Sequence, residues 1–245
     1  MTHSGELSAK GISRKRGDTQ VLSAVDLVVK PGQITALIGP SGGGKTTLLK
    51  ALSLLELPDE GEVNIDGASY KFPLNDRKNI KPPWPELTVV FQQLFLFPHL
   101  TLRENIMLPL GKATNRSEQL VHLFERFHMQ SFLDRYPNEA SLGQRQRAAL
   151  VRAMALNPKY ILLDEITSSL DVEQVALILA EIRSLSESGV GILLITHLLH
   201  FARQAADSIV FLEGGHVIES GSKEVLMNPQ EERVKNFLTM AEFAS

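Results

Sequence analysis

Apolar runs with at most one threonine each occupy residues 34–38, 87–91, 160–163, 192–196 and 209–212. Runs this short and this apolar predict strands covered on both faces, as in a parallel sheet. Between two of them, Val172, Val175, Leu179, Ile182 and Leu185 recur three or four apart, which predicts an amphipathic helix over 172–185 with those five on one face. Strand and helix alternate, so the pattern is α/β with right-handed crossovers. Residues 100–156 break the alternation. They contain no convincing strand, while 122–126 and 145–155 have helical spacing, so an inserted helical subdomain is expected. Gly214-Gly215 separates 208–213 from 216–220, a two-residue turn suited to a β-hairpin. The first 30 residues alternate weakly through Val25, Leu27 and Val29 and suggest a small antiparallel flap. Lys81-Pro82-Pro83-Trp84-Pro85 reads as a stiff loop, with Trp84 expected to pack.

Composition narrows the setting. A chain of 245 residues is long enough to bury a large core without covalent staples, and one large α/β domain is expected. A net charge of −3 with 22% charged residues gives no electrostatic reason to expect nucleic acid or an anionic membrane surface as partner. The sequence has no cysteine, which excludes disulfides and thiolate metal sites. Residues 1–16 are polar and basic and lack the apolar stretch of a secretory signal. Nor does any run approach the roughly 18 apolar residues that a membrane span needs; the most apolar stretch, 175–182, is interrupted by Glu181. A membrane role is expected to come through partner chains.

The most specific chemistry lies in Gly39-Pro40-Ser41-Gly42-Gly43-Gly44-Lys45-Thr46-Thr47, which fits G-x-x-x-x-G-K-[ST], follows an apolar run and opens a helical one. Glycines let successive N–H groups turn toward phosphate oxygens. The helix N-terminus adds partial positive charge, Lys45 a full one, and the Thr46 hydroxyl is expected to ligate Mg²⁺. A second run ends in Asp164-Glu165. Phosphoryl transfer needs charge neutralisation and a positioned water, so Asp164 is expected to hold Mg²⁺ through water and Glu165 to polarise the attacking water. His197 and His200 are three apart, but no Cys, Asp or Glu completes a transition-metal set with them.

Together these residues resemble the nucleotide-binding subunit of ATP-binding-cassette transporters over nearly the whole chain. The resemblance implies a P-loop NTPase with a RecA-like, mainly parallel core and antiparallel β flap (residues 1–99 and 157–245) interrupted by a helical subdomain (100–156). Phe91-Gln92-Gln93 is similar to the family's glutamine loop, which implies that Gln92 touches Mg²⁺ or the attacking water. Ala140-Ser141-Leu142-Gly143-Gln144 is similar to the signature Leu-Ser-Gly-Gly-Gln, which implies that Ser141, Gly143 and Gln144 close over ATP held by a second copy. Leu142 stands where the first Gly is usual, and a requirement for positive φ there would strain it. Ser168-Ser169-Leu170-Asp171 resembles the dimer-contact D-loop, with Ile166 in place of the usual Pro; Asp171 equally suits a helix cap. Thr196-His197 resembles the switch histidine, which implies contact of His197 with the γ-phosphate. Arg16 takes the place of the usual adenine-stacking aromatic.

The resemblance further implies ATP and Mg²⁺ as ligands, a homodimer or paired ATPase subunits, transmembrane permease partners and a peripheral position on the cytoplasmic face of the inner membrane. Residues 91–101 and 228–238 resemble subunits serving polar amino acid uptake, and the chain's end soon after the hairpin argues against a C-terminal regulatory domain. Two other readings stay open: a soluble cassette ATPase of DNA repair or translation, and a regulatory nucleotide binder of low turnover, suggested by Leu142, Ile166 and Arg16 together. A P-loop small-molecule kinase shares the phosphate loop but has no use for the segments around Ser141 and His197.

Overall fold

The computed structural model describes residues 5–74, 80–81, 83–111, 117–167 and 171–243. Its strands are β1 (Leu7–Arg16), β2 (Thr19–Val29), β3 (Ile34–Ile38), β4 (Glu60–Ile65), β5 (Ala68–Phe72), β6 (Leu87–Val90), β7 (Tyr160–Asp164), β8 (Gly191–Ile195), β9 (Ser208–Glu213) and β10 (His216–Ser222). Its α-helices are α1 (Lys45–Leu52), α2 (Leu102–Met107), α3 (Ser117–Arg126), α4 (Leu142–Met154), α5 (Val172–Glu187), α6 (Leu199–Ala205) and α7 (Glu232–Phe243).

A six-stranded sheet runs β10-β9-β3-β8-β7-β6. Its members are parallel from β9 to β6, and only β10 is antiparallel. Both faces of this sheet are covered, so alternate residues go to opposite cores. Ile161 and Leu163 join the helices α4 to α6 in one core, while Tyr160 and Leu162 meet α1 and the flap in the other. The flap is a separate antiparallel sheet, β2-β1-β4-β5. Between β6 and β7 the described residues hold α2, a short 3-10 turn at Leu108–Leu110, α3 and α4.

Three expectations need correction. Val172 is 85% exposed, and the buried side of α5 is Ile178, Glu181, Ile182 and Ser186. Val175, Leu179 and Leu185 pack partly buried on the same core as Ile182, so of the five expected residues only Val172, at the start of the helix, faces water. A charge sits on the buried side because Arg126 of α3 reaches Glu181 and donates to Ser184 Oγ at 3.0 Å, pairing what burial would otherwise penalise. Trp84 is 56% exposed instead of packed, at the rim of a groove of about 320 Å³. The strand over 87–91 ends at Val90, β7 continues through Asp164, and β8 begins at Gly191 and stops before Thr196. Pro82 and Ser168-Ser169-Leu170 lie outside the described residues.

Candidate nucleotide site

Strands β3, β8, β7 and β6 run parallel, so the segments that follow them leave the same edge of the sheet. That edge is where ligands bind in open α/β sheets. The loop after β3 is the Gly39–Thr46 cradle, the residue ending β7 is Asp164, β8 leads to Thr196-His197, and β6 leads to Gln92. Register aligns them further: Val90 pairs with Leu163, and Leu163 with Leu194. Gln92 and Glu165 thus each lie two residues past a paired row.

The cradle is built by backbone conformations open chiefly to glycine. Gly39 has φ 139°, and a Cβ there would come within 2.1 Å of the Leu212 carbonyl oxygen of β9. Gly44, the N-cap of α1, has φ 101°, and its Cβ would meet Val21 O at 2.8 Å. The loop is thereby pressed onto β9 and the flap. Pro40 is half-buried and Ser41 exposed, while Gly42 contributes a further positive φ of 76° and Gly43 donates its N–H to Pro40 O at 3.2 Å. Lys45 is buried and donates Nζ to Gly39 O at 2.8 Å and Pro40 O at 2.9 Å. Burial pulls its pKa below the ordinary lysine value, and the charges of Glu165 and Asp164 oppose that pull. Thr46 is exposed at the start of α1, whereas Thr47 is buried beneath it.

Thr46 Oγ1 donates to Asp164 Oδ2 at 3.0 Å. The Asp164 carboxyl is raised above the usual carboxylate range chiefly by burial; the Thr46 hydrogen bond works against the shift and the Glu165 charge adds to it. Hydroxyl and carboxylate together form an oxygen donor pair, the chemistry that suits Mg²⁺. Glu165 has φ 50°, a left-handed conformation unusual for a non-glycine residue and one of the strained backbones that cluster at functional sites. Its N–H donates to Ile195 O at 3.0 Å, which anchors the turned residue to β8. His197 Nδ1 lies 3.8 Å from Glu165 Oε2, with the imidazole half exposed. Gln92 is exposed in the segment after β6. The structure thus brings together Lys45, Thr46, Asp164, Glu165 and His197.

It places the signature segment elsewhere in the chain. Ser141 is the N-cap of α4 and forms a capping box with Gln144: Gln144 N donates to Ser141 Oγ at 3.3 Å, and Ser141 N donates to Gln144 Oε1 at 3.1 Å. Leu142 is the first residue of α4 and is not among the described residues with positive φ. The anticipated strain is absent because this turn is a helix start, open to any L-residue. Ala140 is buried beneath it. Within the chain α4 packs on α2 and β6, while α1 packs on β1, β2 and β7.

Arg16 ends β1 and donates through Nη2 to both Glu56 carboxylate oxygens at 3.0 and 3.3 Å; Lys50 Nζ reaches the same carboxylate at 2.7 Å. Those partners were not anticipated, since ion pairs between distant surface positions leave no periodic signal. Arg152, Arg147 and Gln174 were also missed. Only Gln174, at i+3 from the helix-capping Asp171, carried a local cue.

Residues 22–168, more than half of the chain, match the model of the family described as ABC transporter. The L-cystine import ATP-binding protein TcyC of Bacillus subtilis is 35% identical over 95% of this chain and 97% of its own length. The glutamine transport ATP-binding protein GlnQ of Escherichia coli is 39% identical over 94% and 97%. Among solved structures, an ATP-binding cassette captured as a dimer after hydrolysis, bound to ADP and Pi, superposes with TM-score 0.77 at 31% identity, covering 89% of this chain and 98% of that one. Phosphate cradle, acid pair and histidine along one sheet edge agree with these likenesses: the chain belongs to the ABC transporter family, as an ATP-binding subunit that hydrolyses ATP.

Proposed function

We propose that two copies of this chain enclose two Mg-ATP, each between the Gly39–Thr46 loop of one copy and Ser141, Gly143 and Gln144 of the other, and so power a permease for polar amino acid uptake. The observation that carries the reading is the convergence of Lys45, Asp164, Glu165 and His197 on one sheet edge, while the capped turn at Ser141 opens a helix packed on other elements. A partner copy is the source of a turn that one chain does not supply.

In this reading Lys45 and the loop N–H groups hold the β- and γ-phosphates. Thr46 and Asp164, with Gln92, hold Mg²⁺, which supplies charge neutralisation on the phosphate oxygens when bound. Glu165 orients the attacking water and accepts its proton, and His197 bonds the γ-phosphate while steadying the Glu165 carboxylate. Arg16 stacks on adenine, and Asp171 with Ser168-Ser169-Leu170 meets the partner copy. Residues 100–156 act as a helical subdomain beside a core formed by 1–99 and 157–245. The groove lined by Trp84, Phe91, Arg152 and Leu156, with Phe95 and Phe97 exposed in the segment after Gln92, receives a short helix of the permease at the cytoplasmic face of the inner membrane. Among the described residues no helix is long and apolar enough to cross a membrane. The polar amino acid class follows from the named cargo of similar proteins, cystine and glutamine.

The test is steady-state hydrolysis with Mg²⁺ for the parent and for Glu165→Gln, with oligomeric state followed by light scattering in ATP. Lost turnover with an ATP-trapped dimer is expected. Full turnover by the variant removes Glu165 from its role, and a monomer at saturating ATP removes the shared site.

A further inference from the structure

The Gln174 side chain, in the first turn of α5, approaches Gly143 of the signature turn more closely than any side chain at position 143 would allow. A Cβ built on Gly143 would lie 1.7 Å from Gln174 Oε1 and 2.6 Å from its Cδ, so the amide rests against the bare Cα. The amide is held in place. The Gln174 N–H donates to Asp171 Oδ1 at 2.8 Å, and Gln174 Nε2 donates to Asp171 Oδ2 at 2.6 Å. One carboxylate thus caps α5 and aims the glutamine amide at α4. From the other side Arg147, one turn beyond Gly143, donates Nε to Gly143 O at 3.4 Å and Nη1 to Phe127 O at 2.9 Å, with its guanidinium 4.7 Å above the Phe132 ring. The Asp171 charge favours the Arg147 cation against its burial.

We propose that Gln174 is a positioning residue: fixed by Asp171, it seats Gly143 and sets the pose in which Ser141 and Gln144 meet the nucleotide of the partner copy. The inference rests on the assignment of Ser141, Gly143 and Gln144 to the shared site. A polar amide in the first turn of a helix ordinarily faces water or closes a local cap, which would stabilise α5 and nothing more. Here the same amide spans two helices, and it links the dimer-contact Asp171 to the signature turn inside one chain. A glutamine that only capped α5 would influence thermal stability; one that seats the signature turn influences closure on ATP.

The experiment uses the Glu165→Gln chain, so that hydrolysis does not drain the dimer. Gln174→Ala and Gln174→Met are introduced into it, and two quantities are measured with Mg²⁺: affinity of the single chain for a fluorescent ATP analogue at low protein concentration, and the ATP concentration that half-saturates dimer formation. Loss of the held amide is expected to leave single-chain affinity unchanged and to require about tenfold more ATP for the dimer, the shift that ~1.4 kcal/mol per shared site produces. Met matches the length of Gln without its amide and is expected to behave like Ala. Dimerisation of Gln174→Ala at the parent concentration, or full recovery by Met, overturns the clamp while leaving the shared site standing. Absence of an ATP-dependent dimer in the Glu165→Gln chain itself overturns the shared site, and the clamp with it.

Discussion

Thr46 and Asp164, separated by 118 positions, share a hydrogen bond of 3.0 Å from hydroxyl to carboxylate. The bond joins the start of α1 to the end of β7 and sets the two oxygens where one cation would use both. It only partly offsets the burial of Asp164, whose carboxyl stays above its ordinary value of 3.8. The folded chain therefore holds that proton more tightly than the unfolded chain. Stability then falls as pH rises through the window between the two values, and above it the penalty of the charge is complete.

Asp164→Asn is accordingly expected to melt at a higher temperature than the parent at neutral pH without nucleotide. The gain is expected to shrink as pH is lowered toward 4. Added Mg-ATP, which stabilises the parent by binding the folded form, is expected to stabilise the variant much less. Thermal unfolding at several pH values, with and without Mg-ATP, checks both; a variant less stable than the parent at neutral pH contradicts the burial argument.

Gly42 and Gly39 of the phosphate loop both have positive φ, but of the two only Gly39 adds a close approach to it. Gly42 has φ 76° and nothing within 4 Å of its Cβ position, so Gly42→Ala is expected to cost only the left-handed conformation, about 1–2 kcal/mol. Gly39→Ala adds a methyl 2.1 Å from Leu212 O, a backbone atom of β9 that cannot swing aside. Its loss of unfolding free energy in urea without nucleotide is expected to be at least twice that of Gly42→Ala. Equal losses would mean that β9 yields freely.

The parallel strands, the phosphate loop, the acid pair and the β-hairpin were legible because each is a local pattern: an apolar run, a glycine spacing, a carboxylate at a strand end. The run over 34–38 coincides with β3, and the hairpin over 208–220 with β9 and most of β10. What escaped was decided between distant segments. β4 and β5 mix polar and apolar residues because one flap face is wet, and neither declares itself without the β1 register that pairs it. Glu181 lies inward on α5 because Arg126 waits on another helix. The left-handed turn at Glu165 follows from its bond to Ile195 O, a contact between strands. Arg16 is legible as a departure from an aromatic, but its attachment to Glu56 is not.

Arg152 illustrates a site effect with no sequence signal. It reaches from α4 to donate Nη1 to Phe95 O at 2.9 Å and Nη2 to Leu94 O at 2.8 Å, and burial lowers its pKa. Two carbonyls just past Gln92 are thereby fixed by one fork. Arg152→Met is expected to cost about 1–3 kcal/mol of stability through the lost charge-assisted bonds. Faster amide exchange across 92–97 and a fall in kcat greater than the change in KM are expected with it. Arg152→Lys is expected to recover little, since a single ammonium does not reproduce the planar fork. Full activity with Lys would show that the second carbonyl contact is dispensable.

Leu142 gives the last prediction, and its sign opposes what the departure from the signature suggests. The residue opens α4 with a right-handed backbone, its side chain is partly exposed, and the helix start is held by the reciprocal bonds of Ser141 and Gln144. Glycine at this place relieves no strain and adds backbone freedom to the unfolded chain, a cost of up to about 1 kcal/mol. Leu142→Gly is thus expected to lower the melting temperature by a few degrees and to leave kcat within about twofold, the range a ~0.4 kcal/mol change in barrier produces. A large gain in kcat would show that the leucine obstructs closure in the dimer, and would turn attention from backbone conformation to the shape of the surface the partner copy meets.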